Sequence, residues 1–287
     1  MPVIQPTPLD QPEEAHQKQM SFIGHLEELR WHLIRMFLVV AVLMVGMFFF
    51  LRDLMDYVVL GPMRTDFPTN RLACQLDADL CAAGKYIGPI QFQATSPTEQ
   101  FSKAIQIGLV GGLVVAFPYV VWELWRFIRP GLSRKEIRTT RGAVGVVSFL
   151  FFLGVAFTYF VILPFTFRFL ANFTVMDEVQ NIWRIGDVVS LITLFCLAGG
   201  LLFQMPVVAW VLSRLGILHP RLMRRYRRHA LVVIVIVAGI LTPSPDALSQ
   251  LLLALPIIVL YEVSILIVGR NQKRSKAAHE AFMSNEA

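Results

Sequence analysis

The chain has 287 residues, of which 55% are hydrophobic and 16% are charged, and its mean hydropathy is +0.59. A soluble globular domain is typically about 45–50% apolar and about 25% charged, so this composition excludes most soluble proteins and leaves too little polar chain for a soluble catalytic domain. The net charge of +6 is interpreted from its distribution along the chain, as a signal of membrane topology rather than of nucleic-acid binding.

The chain opens with a polar, proline-containing stretch, Met1–Gln19, and continues with six apolar blocks. The polar stretch predicts a disordered tail without a cleavable signal peptide. A run of about 18 apolar residues is long enough to cross the hydrocarbon layer as a helix, so the blocks predict transmembrane helices. The blocks are Leu33–Leu51, Ala104–Trp122, Gly142–Phe167, Val188–Ser213, Ala230–Pro245 and Ala247–Gly269.

The fifth block is the shortest. Only about 12 residues, Ala230–Leu241, precede the sequence Thr242-Pro-Ser-Pro-Asp246, and as a helix they would cover about 18 Å. A helix this short must thin the bilayer locally or pack where lipid does not reach it. We therefore predict that helices five and six form a short hairpin turned by Pro243 and Pro245.

The basic residues are distributed unevenly between the two sides of the predicted helices. Most of the 26 Lys and Arg lie before block one, between blocks two and three, between blocks four and five, and after block six. The positive-inside rule then places both termini in the cytoplasm, which requires an even number of spans. The sequence predicts an all-α polytopic membrane protein with six transmembrane helices. Residues 1–20 and 271–287 are expected to be cytoplasmic tails, and residues 21–270 the membrane domain.

A helical start, Ser21–Arg30, leads into the first block. Its polar residues His25 and Glu28 continue into His32 and Arg35, forming a polar column beside an apolar stripe. One interpretation is an interfacial helix with solvated charges. The other is that Glu28 lies at membrane level beside apolar neighbours and presents its carboxylate to a cationic ligand. An arginine guanidinium suits that role because two of its N–H groups can engage two oxygens.

The segment Trp122–Arg138 is the densest polar stretch of the chain. Pro130 and Gly131 are expected to end the second helix, and the basic residues act as a topology signal. Glu136 lies among three of these basic residues. It could simply neutralise them locally, or it could offer a second carboxylate at the same side of the membrane.

Polar side chains inside the membrane are expensive and therefore point to function. Gln204 lies deep in the fourth block, and Glu262 lies in the sixth, where it could reach the interface or pair with another charge. Kinks are expected at the prolines within the blocks, which are Pro118, Pro164, Pro206 and Pro256. Cys74 and Cys81 share the first external loop, where a local disulfide is possible but not required.

The sequence contains no motif for enzymatic chemistry. It lacks a phosphate-binding glycine loop, His/Cys spacing for a metal, and a nucleophile elbow, so no catalytic residue, metal or cofactor is expected. A secondary transporter of a small solute, with Gln204 and Glu262 as a midplane site, is the alternative function. Such transporters usually show an internal repeat with paired broken helices, and no self-similarity of that kind is found.

Three motifs, taken in order, resemble the TatC subunit of the twin-arginine protein translocase. They are His25-Leu-Glu-Glu-Leu-Arg30, Phe127-Ile-Arg-Pro130 followed by Lys135-Glu136, and Leu241-Thr-Pro-Ser-Pro-Asp246 continuing to Gln250. The resemblance extends from about Met20 to Arg270 and includes the six-span layout. It implies a receptor for signal peptides with paired arginines, which helps to export folded proteins across the bacterial cytoplasmic membrane.

The resemblance also implies roles for individual residues. Glu28 and Glu136 match the two carboxylates that contact the twin arginines, and the other matching positions are Arg30 and Phe127 in the signal-peptide site, Asp246 at the tip of the external hairpin, and Pro62 and Pro118 as structural residues. Where this family commonly has Glu in span four, the present chain has Gln204, which cannot ionise.

The resemblance further implies partner subunits and an energy source. Single-span subunits of the TatA and TatB type are expected to pack against spans five and six within an oligomeric complex. Because the chain has no nucleotide site, the energy is expected from the proton-motive force, of which the membrane potential supplies about 2.3 kcal/mol per charge per 100 mV.

Overall fold

The computed structural model describes residues 22–76, 92–129, 142–173, 176, 182–214, 216–241 and 247–286. Nearly all of them are helical, in agreement with the predicted all-α class. The α-helices are α1 Phe22–Phe49, α2 Leu51–Asp53, α3 Pro68–Leu76, α4 Pro97–Ile128, α5 Ala143–Phe157, α6 Leu163–Asn172, α7 Ile185–Leu202, α8 Met205–Arg214, α9 Pro220–Arg225, α10 Arg227–Leu241 and α11 Ala247–Glu286. The shorter elements are the π-helical turns Leu54–Val59 and Thr158–Ile162, the 3-10 turn Gly61–Met63, and the strands β1 Phe92–Gln93 and β2 Trp183–Arg184.

Five helical segments of the described chain are long and apolar enough to cross a membrane. They are Glu27–Phe49, Pro97–Ile128, Ala143–Asn172, Ile185–Arg214 and Leu253–Gln272. Helix α10 has 15 residues and covers about 22 Å, which is shorter than the hydrocarbon layer of about 30 Å. The structure therefore supports five spans by length. A sixth span, formed by the short helix α10, stays a prediction.

Helix α4 begins at a well-formed cap. The Ser96 side chain accepts a hydrogen bond from the backbone N–H of Thr98, and Pro97 occupies the first turn, where its missing N–H costs nothing. The Glu99 carboxylate accepts from the backbone N–H and the hydroxyl of Thr95 at 2.7 and 2.8 Å. At its other end α4 stops at Ile128, just before Pro130, as the sequence predicts.

The first two long helices, α1 and α4, pack against each other in antiparallel register. Gly112 lies against the backbone of Met44, where an added Cβ would come within 2.8 Å of the Met44 nitrogen. Eleven residues further along α4, Glu123 meets Arg35, which precedes Met44 on α1. The small residue lets the two backbones approach closely, as is common between helices in membranes.

The following helices alternate in direction. Lys103 donates to the hydroxyl of Ser190 at 2.6 Å, and Gln106 donates to that of Thr193 at 2.7 Å, so α4 and α7 run parallel. Helices α5 and α7 run antiparallel. Their glycines face each other, and a Cβ added to Gly154 would lie 2.5 Å from the carbonyl oxygen of Gly199. This alternation of α4, α5 and α7 is what successive membrane crossings require.

The prolines within the predicted spans behave in two ways. Pro164 follows the π-helical turn that separates α5 from α6, and Pro206 follows the break between α7 and α8. Pro118 and Pro256, in contrast, lie inside the uninterrupted helices α4 and α11. The expected irregularity is therefore present in the third and fourth spans, where a missing backbone donor coincides with a change of helical hydrogen bonding.

Helices α10 and α11 form an antiparallel pair. The Gln250 side chain donates to the carbonyl oxygen of Val235 at 2.9 Å, and Arg227 lies 2.6 Å from Glu262 at the opposite end of the pair. Residues 242–246, for which the sequence predicts a turn at Pro243 and Pro245 and which include Asp246, lie outside the described residues. Cys196 is free and buried, Cys74 is disulfide-bonded, and Cys81 is also outside the described residues.

Candidate functional site

The polar column of α1 faces α4. Glu28, His32 and Arg35 follow each other at intervals of one helical turn, and His32 is buried with only 5% of its surface exposed. The interpretation of an interfacial helix with solvated charges fits the exposed Glu27 and Arg30 but does not extend to the buried His32. Glu28 is half-buried, and its Oε2 atom is shielded from solvent without a hydrogen-bond partner among the described residues.

Glu123 on α4 is the centre of the site, although no motif in the sequence predicts a role for it. Its side chain is fully buried, and its Oε1 atom lies 3.0 Å from His32 Nδ1 and 3.3 Å from Arg35 Nη1. Arg35 donates a hydrogen bond to Oε1, whereas the His32 contact is an ion-pair distance without hydrogen-bond alignment. The second oxygen, Oε2, has no hydrogen-bond partner in the described part of the chain.

Phe127 closes the site one turn after Glu123. Its ring meets the His32 ring edge-on, with centroids 5.8 Å apart and an interplanar angle of 65°. The structure thus brings Phe127 next to the polar column that contains Glu28. Arg30 is exposed and lies two residues from Glu28, on a different face of α1, so the structure does not bring it into this cluster. Glu136 lies outside the described residues.

The described residues leave two carboxylates of the site incompletely satisfied. Two carboxylates from different helices, Glu28 and Glu123, each have one buried oxygen without a donor in the described part of the chain, and Arg35 contacts only the Glu123 carboxylate of the two. A buried carboxylate oxygen without a donor is costly, so the arrangement favours a ligand that brings additional N–H donors and positive charge. Among the described residues, no group of three His, Cys, Asp or Glu could hold a metal ion.

Gln204 is placed at the break between α7 and α8. Its Nε2 atom donates to the carbonyl oxygen of Val147 at 3.2 Å, and its Oε1 atom is buried without a hydrogen-bond partner in the described chain. The amide therefore links the broken fourth span to α5. Being neutral, it supplies hydrogen bonding at a depth where a carboxylate would have to be paired or protonated.

Glu262 and Pro62 both make contacts with other residues of the bundle. Glu262 forms an ion pair with Arg227, which bears out the expectation that this intramembrane carboxylate could pair. It thus has a counter-ion, which weakens the solute-site interpretation. Pro62 is buried, and its carbonyl oxygen accepts from the side chain of Asn70 at 3.0 Å. Asn70 is fully buried and also donates to the Arg64 carbonyl at 2.7 Å.

Comparison with known proteins gives one consistent result. The family model for the Sec-independent protein translocase protein (TatC) matches residues 24–256. The Sec-independent protein translocase protein TatC of Blattabacterium is 31% identical over 255 residues, covering 88% of this chain and 96% of the relative. That of Campylobacter jejuni is 34% identical over 248 residues, covering 85% of this chain and 94% of the relative.

Two solved structures are also similar to the chain. Both are crystal structures described as the twin arginine translocase receptor TatC, the second of them in the detergent DDM. They match with TM-scores of 0.66 and 0.67 and sequence identities of 26% and 27%. Each comparison covers 85% of this chain and 98% of the solved chain, so the shared fold includes nearly all of the solved structure.

Proposed function

Because the chain belongs to the TatC family of Sec-independent protein translocase proteins, we propose that it binds signal peptides with paired arginines and helps to export folded proteins. The observation that carries this proposal is the pair of buried, unpartnered carboxylate oxygens on Glu28 and Glu123 at the crossing of α1 and α4. They lie at the end of the bundle where α1 begins and α4 ends.

Glu28 is proposed as a direct ligand of one signal-peptide arginine. A guanidinium offers two parallel N–H groups, which match the two oxygens of a carboxylate, and such charge-assisted pairs are stronger than neutral hydrogen bonds. Glu136, on the segment that follows α4, is proposed as the second carboxylate. Arg30 and Phe127 are proposed as further residues of the signal-peptide site, and the contact between Phe127 and His32 supports the placement of Phe127.

The proposed topology has six spans with both termini in the cytoplasm. The positive-inside distribution of Lys and Arg supports it, as does the alternating direction of α4, α5 and α7. Residues 1–20 and 271–287 would then be cytoplasmic tails, and the membrane domain of residues 21–270 would lie in a bacterial cytoplasmic membrane. The proposed signal-peptide site faces the cytoplasm in this topology, where the ligand is made.

Helix α10 is the proposed contact for partner subunits. It is short, and Val232, Ile236 and Ile240 expose more than half of their surface. Single-span subunits of the TatA and TatB type are proposed to pack against α10 and α11 in an oligomeric complex, with Asp246 at the tip of this hairpin.

Energy is proposed to come from the proton-motive force, and Gln204 would take no part in proton transfer because its amide does not ionise.

Photocrosslinking tests the receptor function. A photoreactive residue at position 31, beside Glu28 on the exposed side of α1, is offered two peptides that carry either paired arginines or paired lysines. We expect crosslinks that favour the arginine peptide and fall about tenfold in Glu28→Gln, which corresponds to the loss of about one charge-assisted hydrogen bond. Glu136→Gln is expected to act in the same direction.

Glu27→Gln is the matched control, because Glu27 is exposed and adjacent in sequence to Glu28 but lies on another face of α1. It is expected to leave crosslinking unchanged. Equal crosslinking of both peptides that neither Glu28→Gln nor Glu136→Gln alters would contradict the receptor function and favour the solute transporter.

A further inference from the structure

We propose that Glu123 is a third carboxylate of the ligand site, and that Arg35 occupies it as an internal substitute for a ligand arginine. Binding then exchanges one guanidinium for another: Arg35 leaves Glu123, and an arginine of the signal peptide takes its place. This inference rests on the proposed function and adds to the same site a ligand-binding role for Glu123 and a competition step.

The Glu123 carboxylate is buried but only half satisfied. The side chain is 0% exposed, yet only Oε1 has donors nearby, and Oε2 has no hydrogen-bond partner among the described residues. A carboxylate taken out of water is normally held by donors to both oxygens. The half-satisfied carboxylate therefore has unused acceptor capacity for a ligand that engages both oxygens at once.

Arg35 is a weak occupant of the Glu123 carboxylate. Its Nη1 atom reaches only Oε1, at 3.3 Å, so the pairing is not the two-pronged contact of which a guanidinium is capable. Its side chain is 49% exposed, so it already has access to the surroundings into which it would be displaced. His32 is 5% exposed and stays packed between Glu123 and Phe127 during the exchange.

Glu28 on α1 provides a second acceptor near Glu123. Glu28 lies one turn before His32 and two turns before Arg35, and it too has a buried oxygen without a partner in the described chain. A peptide with two adjacent arginines could engage the Glu28 carboxylate with one arginine side chain while the second arginine displaces Arg35 from Glu123. A lysine has a compact ammonium group and cannot bridge two carboxylate oxygens in a planar fork, so it competes poorly with Arg35.

The test measures the affinity of a fluorescent signal peptide for the full-length protein in lipid nanodiscs. Removing the internal competitor with Arg35→Gln is expected to strengthen binding of the paired-arginine peptide several-fold. Removing the acceptor with Glu123→Gln is expected to weaken it about tenfold, the equivalent of about one charge-assisted contact. The double variant is expected to bind as weakly as Glu123→Gln, because without the acceptor there is nothing for Arg35 to block.

Arg126→Gln is the matched control for the loss of a positive charge. Arg126 lies on α4 near Glu123, but its guanidinium stacks over the Trp122 ring, with 5.6 Å to the centroid. It is expected to bind the peptide no more tightly than the original chain. A general effect of charge would instead make Arg126→Gln behave like Arg35→Gln, and that result would overturn the exchange.

The sign of the Arg35→Gln effect decides the proposal. If the ion pair merely braces α1 against α4, Arg35→Gln weakens binding as Glu123→Gln does, and the exchange is refuted. If Glu123→Gln fails to fold, a variant of the peptide takes its place in the test. The stronger peptide binding of Arg35→Gln must then disappear when one of the two arginines of the peptide is replaced by glutamine. A gain that persists with the single-arginine peptide also refutes the exchange.

Failure of the proposed function gives a different pattern. In that case the unaltered protein binds paired-arginine and paired-lysine peptides equally, and the present inference falls with it. Failure of the exchange alone leaves the arginine preference of the unaltered protein intact and removes only the gain in Arg35→Gln.

Discussion

Substitution of Gly112 by alanine tests how the site is held together. At this position an added Cβ would lie 2.8 Å from the Met44 nitrogen and 3.1 Å from its Cα, both of which are backbone atoms. A backbone cannot turn aside as a flexible side chain can, so α1 and α4 must separate or slide. Overpacking of this kind costs about 1–3 kcal/mol.

Gly111→Ala is the matched control on the same helix. Its added Cβ would lie 3.7 Å from atoms of the Met47 side chain, which is ordinary van der Waals contact. We expect Gly112→Ala to lower the free energy of unfolding by about 1–3 kcal/mol and Gly111→Ala to change it by less than about 0.5 kcal/mol. Denaturant titration of the purified protein in detergent measures both.

Gly112→Ala has a second expected effect, at the proposed signal-peptide site. Glu123 is 11 residues, or about 16 Å, from Gly112 along α4, and the packing of α1 sets where His32 and Arg35 meet it. Gly112→Ala is therefore expected to weaken binding of the paired-arginine peptide as well. Unfolding midpoints that are the same for Gly112→Ala and Gly111→Ala would refute the close-packing argument.

Three further predictions concern other parts of the bundle. Because both Arg227 and Glu262 are partly exposed, Glu262→Gln is expected to lower stability by less than about 1 kcal/mol, with no further loss in the double variant with Arg227→Gln, measured by the same titration. Gln204→Leu removes the hydrogen bond to the Val147 carbonyl and is expected to cost about 1–3 kcal/mol, read as a lower midpoint. Asn70→Ala leaves two backbone carbonyls without their donor and should lower the thermal unfolding temperature. Asn70→Asp keeps the shape of the side chain but cannot donate when ionised, so it should lower the unfolding temperature as well.

The helices themselves follow closely from the sequence because their apolar blocks are long. The block Ala104–Trp122 predicts the second span, and the observed helix extends it in both directions, to the capped start at Pro97 and to Ile128 before Pro130. Polar residues at these ends are compatible with a helix that leaves the hydrocarbon layer. The block pattern cannot detect them, since it measures hydropathy rather than hydrogen bonding.

The site was harder to predict than the helices. Glu123 stands next to a basic segment, where a carboxylate usually neutralises neighbouring charges in solvent, and nothing in the local sequence distinguishes a buried one. Its burial is decided by His32 and Arg35 on another helix, 91 and 88 residues away. One signal was available: Glu123 and Phe127 are four residues apart, so a predicted helix places both on the face that could meet the polar column.

The positions of the site residues along the chain determine when the site can assemble during synthesis. Glu28, His32 and Arg35 lie on the first span, and Glu123 and Phe127 lie on the second. The glycine contact that sets their register, between Gly112 and Met44, also belongs to these two helices alone. A growing chain inserts its N-terminal segments first. The cluster of carboxylate, imidazole and guanidinium can therefore form within a helical hairpin during synthesis, before the later spans have left the ribosome.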